Sequence, residues 1–119
     1  MRRWLAFAAV LGFLCVAAGT FAAHGLSDPQ AQGWIRTGAT YGLAHVAASL
    51  GALALARGGA PGARLAAPLF LFGVLLFSGS LAAMALGAPR WLGAVTPLGG
   101  LLWLAGWAAL AWAARRLDD

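Results

Sequence analysis

The feature that most constrains this chain is a run of 25 residues without a formal charge, residues 65–89, which lies between Arg64 and Arg90. A helix needs about 20 apolar residues to cross the ~30 Å hydrocarbon core of a bilayer, so this run is long enough to span it. Three further charge-free runs repeat the pattern, at residues 4–27, 37–56 and 91–114. The chain is therefore predicted to cross a membrane four times.

The overall composition agrees with this prediction. Hydrophobic residues make up 62% of the chain and charged residues 9%, whereas soluble domains carry roughly 25% charged residues. The net charge of +5 comes from eight basic residues, all arginines, which stand singly or in pairs at the ends of the apolar runs. Because no cluster of them could follow a phosphate backbone, the expected partner is the lipid bilayer and not nucleic acid.

The pattern predicts an all-α membrane protein whose four transmembrane helices form an antiparallel bundle. Residues 1–119 are expected to form a single integral membrane domain, with spans at approximately residues 4–24, 36–56, 66–87 and 96–114. Short connections make neighbouring spans antiparallel. On the first span a stripe of small residues at helical spacing, Ala8, Gly12, Cys15 and Gly19, predicts close packing against another helix.

Two helix starts can be recognised in the sequence. Asp28 followed by Pro29 predicts an N-cap and a first helical residue, and a short amphipathic helix over about residues 29–36 is expected to lie at the membrane surface between spans 1 and 2. In this helix Trp34 and Ile35 are expected to lie against lipid. For the fourth span, Thr96 is predicted as the N-cap, with Pro97 in the first turn.

The distribution of arginines predicts the orientation. With four spans, six arginines fall on the side that holds both termini and two on the other side: Arg2, Arg3, Arg57, Arg64, Arg115 and Arg116 against Arg36 and Arg90. Basic residues concentrate on the cytoplasmic side of membrane proteins. We therefore expect a multi-pass protein of the cell inner membrane with both termini in the cytoplasm.

Polar side chains inside the spans are the candidates for a functional site, because such groups are costly in lipid. Tyr41 and His45 share a face of the second span, and the third span carries Ser78 and Ser80 near its middle. At about 1.5 Å per residue, His45 and Ser80 both lie roughly 10 to 13 Å below the outer ends of their spans. The four side chains are therefore predicted to form one intramembrane polar cluster.

Two further polar residues, His24 and Thr96, are predicted to lie above this cluster toward the outer surface. His45 has two open interpretations: a neutral ring held by hydroxyls to fix helix register, or a site for a ligand, proton or lipid headgroup. Metal or haem ligation by the two histidines is not favoured, because they differ in depth and no span contains a carboxylate. No metal and no cofactor are expected.

A series of short motifs gives the chain a resemblance to a known family. The series consists of Ala23-His24-Gly25-Leu26, then Trp34, Thr37, Tyr41 and His45, then Gly73 with Leu76-Phe77-Ser78-Gly79-Ser80-Leu81, then Thr96-Pro97-Leu98-Gly99-Gly100 and Gly106-Trp107. In this order it resembles the YgdD/YwdK-like family of small membrane proteins, which includes eukaryotic transmembrane protein 256. The resemblance implies a four-helix inner-membrane protein with no established biochemical activity.

The residues favour a structural or accessory membrane component, as a homo-oligomer or as part of a larger membrane complex. The alternative is an oligomeric carrier or channel for a small solute or proton that uses the His/Tyr/Ser cluster. An enzyme is not expected, because the only acidic residues are Asp28, Asp118 and Asp119, none lies within a span, and no set of nucleophile, base and acid is present.

The orientation can be tested by cysteine labelling in intact cells. In a variant whose native Cys15 is replaced by Ala, single cysteines at Gln30 and Gly93 are expected to react with a membrane-impermeant maleimide from outside. A cysteine at Gly59, in the second connection, is expected to react only after the cells are opened. The reverse pattern would show that the arginine distribution points the wrong way.

Overall fold

The computed structural model describes residues 1–117, which contain helices and connecting turns but no β-strand. Its four long helices are α1 (Arg2–Gly25), α2 (Pro29–Arg57), α3 (Ala63–Ala85) and α4 (Thr96–Ala114), and a 3₁₀ helix (Arg90–Ala94) precedes α4. Four helical segments, the last formed by the 3₁₀ helix together with α4, are long and apolar enough to cross a membrane. Of the three acidic residues in the sequence, Asp118 and Asp119 lie outside the described residues.

The start of α2 agrees with the sequence in one respect and differs in two. Asp28 is the N-cap, and its carboxylate accepts a hydrogen bond from the backbone N–H of Gln30 at 3.3 Å. Pro29 is the first residue of the helix. The predicted short helix is not a separate element, because residues 29–36 continue without a break into the rest of α2. Ile35 is only 3% exposed, since its side chain faces α1 and α3, so its predicted position against lipid is wrong.

The start of α4 also differs from the prediction. Val95, and not Thr96, is the N-cap residue, and its carbonyl accepts the first hydrogen bonds of the helix from Leu98 and Gly99. The preceding 3₁₀ helix already places the chain in a helical turn, so no side-chain cap is made. The Thr96 hydroxyl instead contacts the Ser80 hydroxyl of α3 at 2.5 Å.

The pair α2 and α3 is the centre of the molecule, because α3 contacts each of the other three long helices while α1 and α4 pack on either side. The α1 side confirms the predicted small-residue face. Ala8 and Cys15 are buried there, and Gly12 lies close to Val46. The core between the helices includes Phe70 and Leu71, which are fully buried.

Glycine makes the contact between α3 and α4 possible. A Cβ atom added to Gly99 would lie 2.5 Å from the Phe77 amide nitrogen and 2.7 Å from the Gly73 carbonyl oxygen. Both neighbours are backbone atoms, which cannot move aside without displacing a helix. The two helix axes therefore approach as closely as they do only because α4 carries no side chain at Gly99.

A pair of adjacent glycines provides a matched test of this contact. Gly99→Ala is expected to lower the free energy of unfolding by about 1 to 3 kcal/mol, the usual cost of overpacking. Gly100→Ala is the control, because a Cβ atom at Gly100 would meet nothing within 4 Å. Thermal unfolding of both variants in one detergent measures the difference, and equal unfolding temperatures would contradict the packing described.

Candidate functional site

His45 lies at the centre of an aromatic cluster formed by α2, α3 and α4. Its side chain is 8% exposed. The imidazole stacks on the indole of Trp103, with ring centroids 3.9 Å apart and an angle of 3° between the planes. The rings of Phe70 and Trp107 pack around it at centroid distances of 5.6 and 6.0 Å. The ring is therefore enclosed by aromatic neighbours from two other helices.

Hydrogen bonds to both ring nitrogens define the tautomer of His45. Nδ1 lies 2.7 Å from the backbone carbonyl oxygen of Tyr41, which can only accept, so Nδ1 carries the proton. Nε2 lies 3.1 Å from Nε1 of Trp107, an indole nitrogen that can only donate, so Nε2 is the acceptor. The geometry thus requires a neutral imidazole. A second proton on Nε2 would point at the indole N–H and break the bond to Trp107.

Trp103, whose ring covers the imidazole of His45, is itself buried and hydrogen-bonded. Its side chain is 5% exposed, and its indole N–H donates to the Phe70 carbonyl at 3.0 Å. The ring occupies a notch at Gly73, where a Cβ atom would lie 2.3 Å from the indole. The position of Trp103 therefore depends on a missing side chain on α3, and the position of the imidazole depends on Trp103.

The structure does not join the four residues of the predicted cluster by hydrogen bonds among their side chains. Tyr41 is 54% exposed, its ring packs against Phe77 and Trp103, and only its backbone carbonyl contacts His45. The Ser78 hydroxyl donates to the Gly38 carbonyl at 2.6 Å. The polar residues are therefore distributed over separate contacts between helices.

The remaining candidates lie nearer the end of the bundle. The Ser80 hydroxyl donates to the Phe77 carbonyl at 3.0 Å, so the Thr96 hydroxyl is the donor in the bond between Thr96 and Ser80. This contact brings together one residue of the predicted cluster and one of the two outer polar residues. The other outer residue, His24, is exposed in the last turn of α1.

The contacts of Trp103 and Trp107 with His45 were not predicted from the sequence. The four-residue spacing of the two tryptophans on α4 puts both indoles on one face of that helix, and this spacing is the signal that could have indicated a shared partner. What the spacing does not contain is the rotation of α4 relative to α2. That rotation decides which side chain the two indoles meet.

The cluster is closed with respect to hydrogen bonding. Within residues 1–117, every buried nitrogen or oxygen atom of a side chain has a partner, and no three His, Cys, Asp or Glu side chains come together in a group that could hold a metal ion. The lone pair on Nε2 of His45 is taken by Trp107, so a ligand could reach it only by displacing that indole. The arrangement is suited to fixing the relative positions of three helices.

These features define a class, that of small helical membrane proteins whose polar side chains inside the spans bond to one another and to backbone carbonyls within the helix bundle. Residues 18–100 match the family described as a protein of unknown function, DUF423. The chain belongs to this family. No solved structure matches the chain.

Proteins similar to the chain over nearly its full length carry the name UPF0382. A UPF0382 membrane protein of Haemophilus influenzae is 44% identical over 93% of this chain and 92% of its own length. The UPF0382 inner membrane protein YgdD of Escherichia coli strain K12 is 42% identical over 98% of this chain and 92% of its own length. A Staphylococcus epidermidis relative is 33% identical over 92% of this chain. The resemblance noted from the motifs is confirmed.

The hydrogen bond between Trp107 and His45 can be tested with a matched pair of tryptophan variants. Trp107→Phe keeps an aromatic ring but removes the donor to Nε2, and is expected to lower the free energy of unfolding by about 1 kcal/mol. Trp91→Phe is the control, because Trp91 is 69% exposed and lies in the 3₁₀ helix. Thermal unfolding in one detergent measures both. A loss at Trp91 as large as that at Trp107 would argue against the bond.

Proposed function

We propose that this protein is a structural or accessory component of the inner membrane, which acts by presenting helix surfaces to other membrane proteins. The observation that carries the proposal is the occupation of both ring nitrogens of His45 by Tyr41 and Trp107. An ionisable residue inside a span is by default a functional candidate. Here Nδ1 is bonded within α2, while Nε2 and the ring face hold α2 against α4, which supports a role in packing.

The proposed arrangement is an antiparallel four-helix bundle with both termini in the cytoplasm. It is supported by the order of contacts along the central pair, where Ser78 meets Gly38 and Phe70 meets His45, so residue numbers rise on one helix as they fall on the other. The orientation is supported by the six-to-two distribution of arginines. The first two turns of α2, residues 29–36, are proposed to lie at the outer membrane surface.

The proposed partner is a larger membrane complex or further copies of this chain. The two flanking helices carry large apolar side chains on their outer faces: Leu5, Val10, Phe13, Leu14 and Val16 on α1, and Leu98, Leu101, Leu104 and Trp107 on α4. In lipid such faces accept either acyl chains or another helix, and helix association there depends on shape and small residues. On α4 the open position at Gly100 would let a neighbouring helix approach.

We also propose that the protein has no catalytic activity of its own. Asp28 is the only acidic residue in the described part of the chain, and its carboxylate caps α2. The Ser49, Ser78 and Ser80 hydroxyls each donate to a backbone carbonyl, so none is aligned with a base that would activate it.

Native mass spectrometry of the protein, extracted gently from its own membranes, tests the accessory role. A stoichiometric partner subunit or a defined oligomer is expected, because the proposed function lies in helix surfaces that another protein contacts. A bare monomer under conditions that preserve known membrane complexes would contradict the proposal.

Flux measurements in proteoliposomes separate this role from that of a proton or solute carrier. The purified protein is expected to give no proton flux above that of empty liposomes under an imposed pH gradient. Flux that disappears in His45→Gln but persists in Trp107→Phe, which weakens the same packing, would contradict the accessory role and favour a carrier built on His45.

A further inference from the structure

Arg90 lies at the rim of a cleft that the preceding proposal does not use. The cleft has a volume of about 360 Å³ and is open on one side. Its lining is formed by residues from α2, α3, the 3₁₀ helix and the start of α4, namely Trp34, Leu81, Met84, Gly93, Thr96 and Pro97 together with Arg90. One cationic group therefore stands beside a mostly apolar cavity.

The guanidinium of Arg90 is held in place by two residues of α2. Its Nη2 donates to Oε1 of Gln30 at 2.9 Å, and its Cζ lies 5.7 Å from the centroid of the Trp34 ring. Gln30 and Trp34 are one helical turn apart on α2. An arginine fixed in this way loses less conformational freedom on binding a ligand than an unrestrained one does.

The guanidinium of Arg90 has further N–H donors with which to bind an anion. A guanidinium carries five N–H donors, and the bond to Gln30 uses one of them. Among residues 1–117 the only side-chain carboxylate belongs to Asp28. It accepts a hydrogen bond from the backbone N–H of Gln30 as the cap of α2. Arginine presents its donors in a planar fork that matches phosphate oxygens.

We propose that this cleft binds one phospholipid, with its phosphate on Arg90 and an acyl chain along the apolar wall formed by Leu81 and Met84. The position supports a lipid ligand, because the turn between two spans lies at the level of the headgroups. The cleft combines a cation at the rim with apolar walls below it, which is complementary to a molecule with an anionic head and an apolar tail. A free phosphate would use the rim alone.

Two variants, Arg90→Gln and Gly93→Leu, test the two halves of the site. Arg90→Gln removes the cation, and Arg36→Gln is the matched control, because Arg36 is exposed and is not part of the cleft lining. Gly93→Leu fills the cavity. The backbone allows this change, since a Cβ atom at Gly93 would lie no closer than 3.8 Å to Met84, an ordinary contact distance.

The measurement is lipid binding to the delipidated full chain in detergent, followed by native mass spectrometry. The probes are palmitoyl-oleoyl phosphatidylglycerol and palmitoyl-oleoyl glycerol, which share their acyl chains and differ in the phosphate. One tightly bound phosphatidylglycerol per chain is expected. Arg90→Gln is expected to weaken its binding about tenfold, as for loss of one charge-assisted contact, and to leave binding of the diacylglycerol unchanged. Arg36→Gln is expected to bind both lipids as the wild type does.

Gly93→Leu keeps the test decisive if Arg90→Gln does not fold. With an unfolding temperature near that of the wild type, it is expected to lose binding of both lipids. Unchanged binding of phosphatidylglycerol in Arg90→Gln or in Gly93→Leu, or an equal loss in Arg36→Gln, would overturn the proposal. Inorganic phosphate at millimolar concentration is expected not to displace the bound lipid. Displacement would show that the rim is a site for free anions and would overturn the assignment of a phospholipid.

Discussion

The packing of α2, α3 and α4 depends on the indole of Trp103. Its ring fits the notch at Gly73, its N–H donates to the Phe70 carbonyl of α3, and its face carries the imidazole of His45 from α2. Helices in lipid are not driven together by the hydrophobic effect, because the surrounding tails are as apolar as the side chains. Close packing and hydrogen bonds between helices must do so. This one side chain supplies both, and it does so at the point where three helices meet.

The same physical constraint explains why polar groups inside the spans are hydrogen-bonded within the bundle. The serine hydroxyls on α2 and α3 are bonded to backbone carbonyls, and the bond from Ser78 to the Gly38 carbonyl also joins the two central helices. Such bonds between helices contribute on average about 0.6 kcal/mol each. Their larger effect is on specificity, because a helix that rotated out of position would leave the hydroxyl without a partner in lipid. Because the buried polar side-chain atoms in the described residues already have partners, the proposed functions lie at the surface, on the helix faces and at the Arg90 cleft.

Much of the fold could be predicted from the sequence, but two predictions about helix starts were wrong. The four helices and the Asp28 cap were predicted because apolar length and capping are local properties. The prediction of a separate helix over residues 29–36 was wrong, because nothing in that stretch interrupts the backbone hydrogen bonds of α2. Thr96 was expected to cap its own helix, whereas its hydroxyl bonds to Ser80 on α3. A hydroxyl near a helix start has partners both within its own turn and across the bundle, and only packing decides between them.

The candidate site shows most clearly what the sequence determines and what it leaves to the tertiary structure. Sequence alone determined that His45 lies within a span and that the chain belongs among small membrane proteins, because bilayer thickness and charge placement act on each segment separately. Only the tertiary structure decided that His45 contacts Trp103 and Trp107 and not the hydroxyls of Tyr41, Ser78 or Ser80. The physical reason is that side-chain partners are selected by the rotation and separation of helices. At the crossing of α3 and α4, the separation is set by backbone contact at Gly99 and by the notch at Gly73, two features that arise only when residues distant in sequence meet.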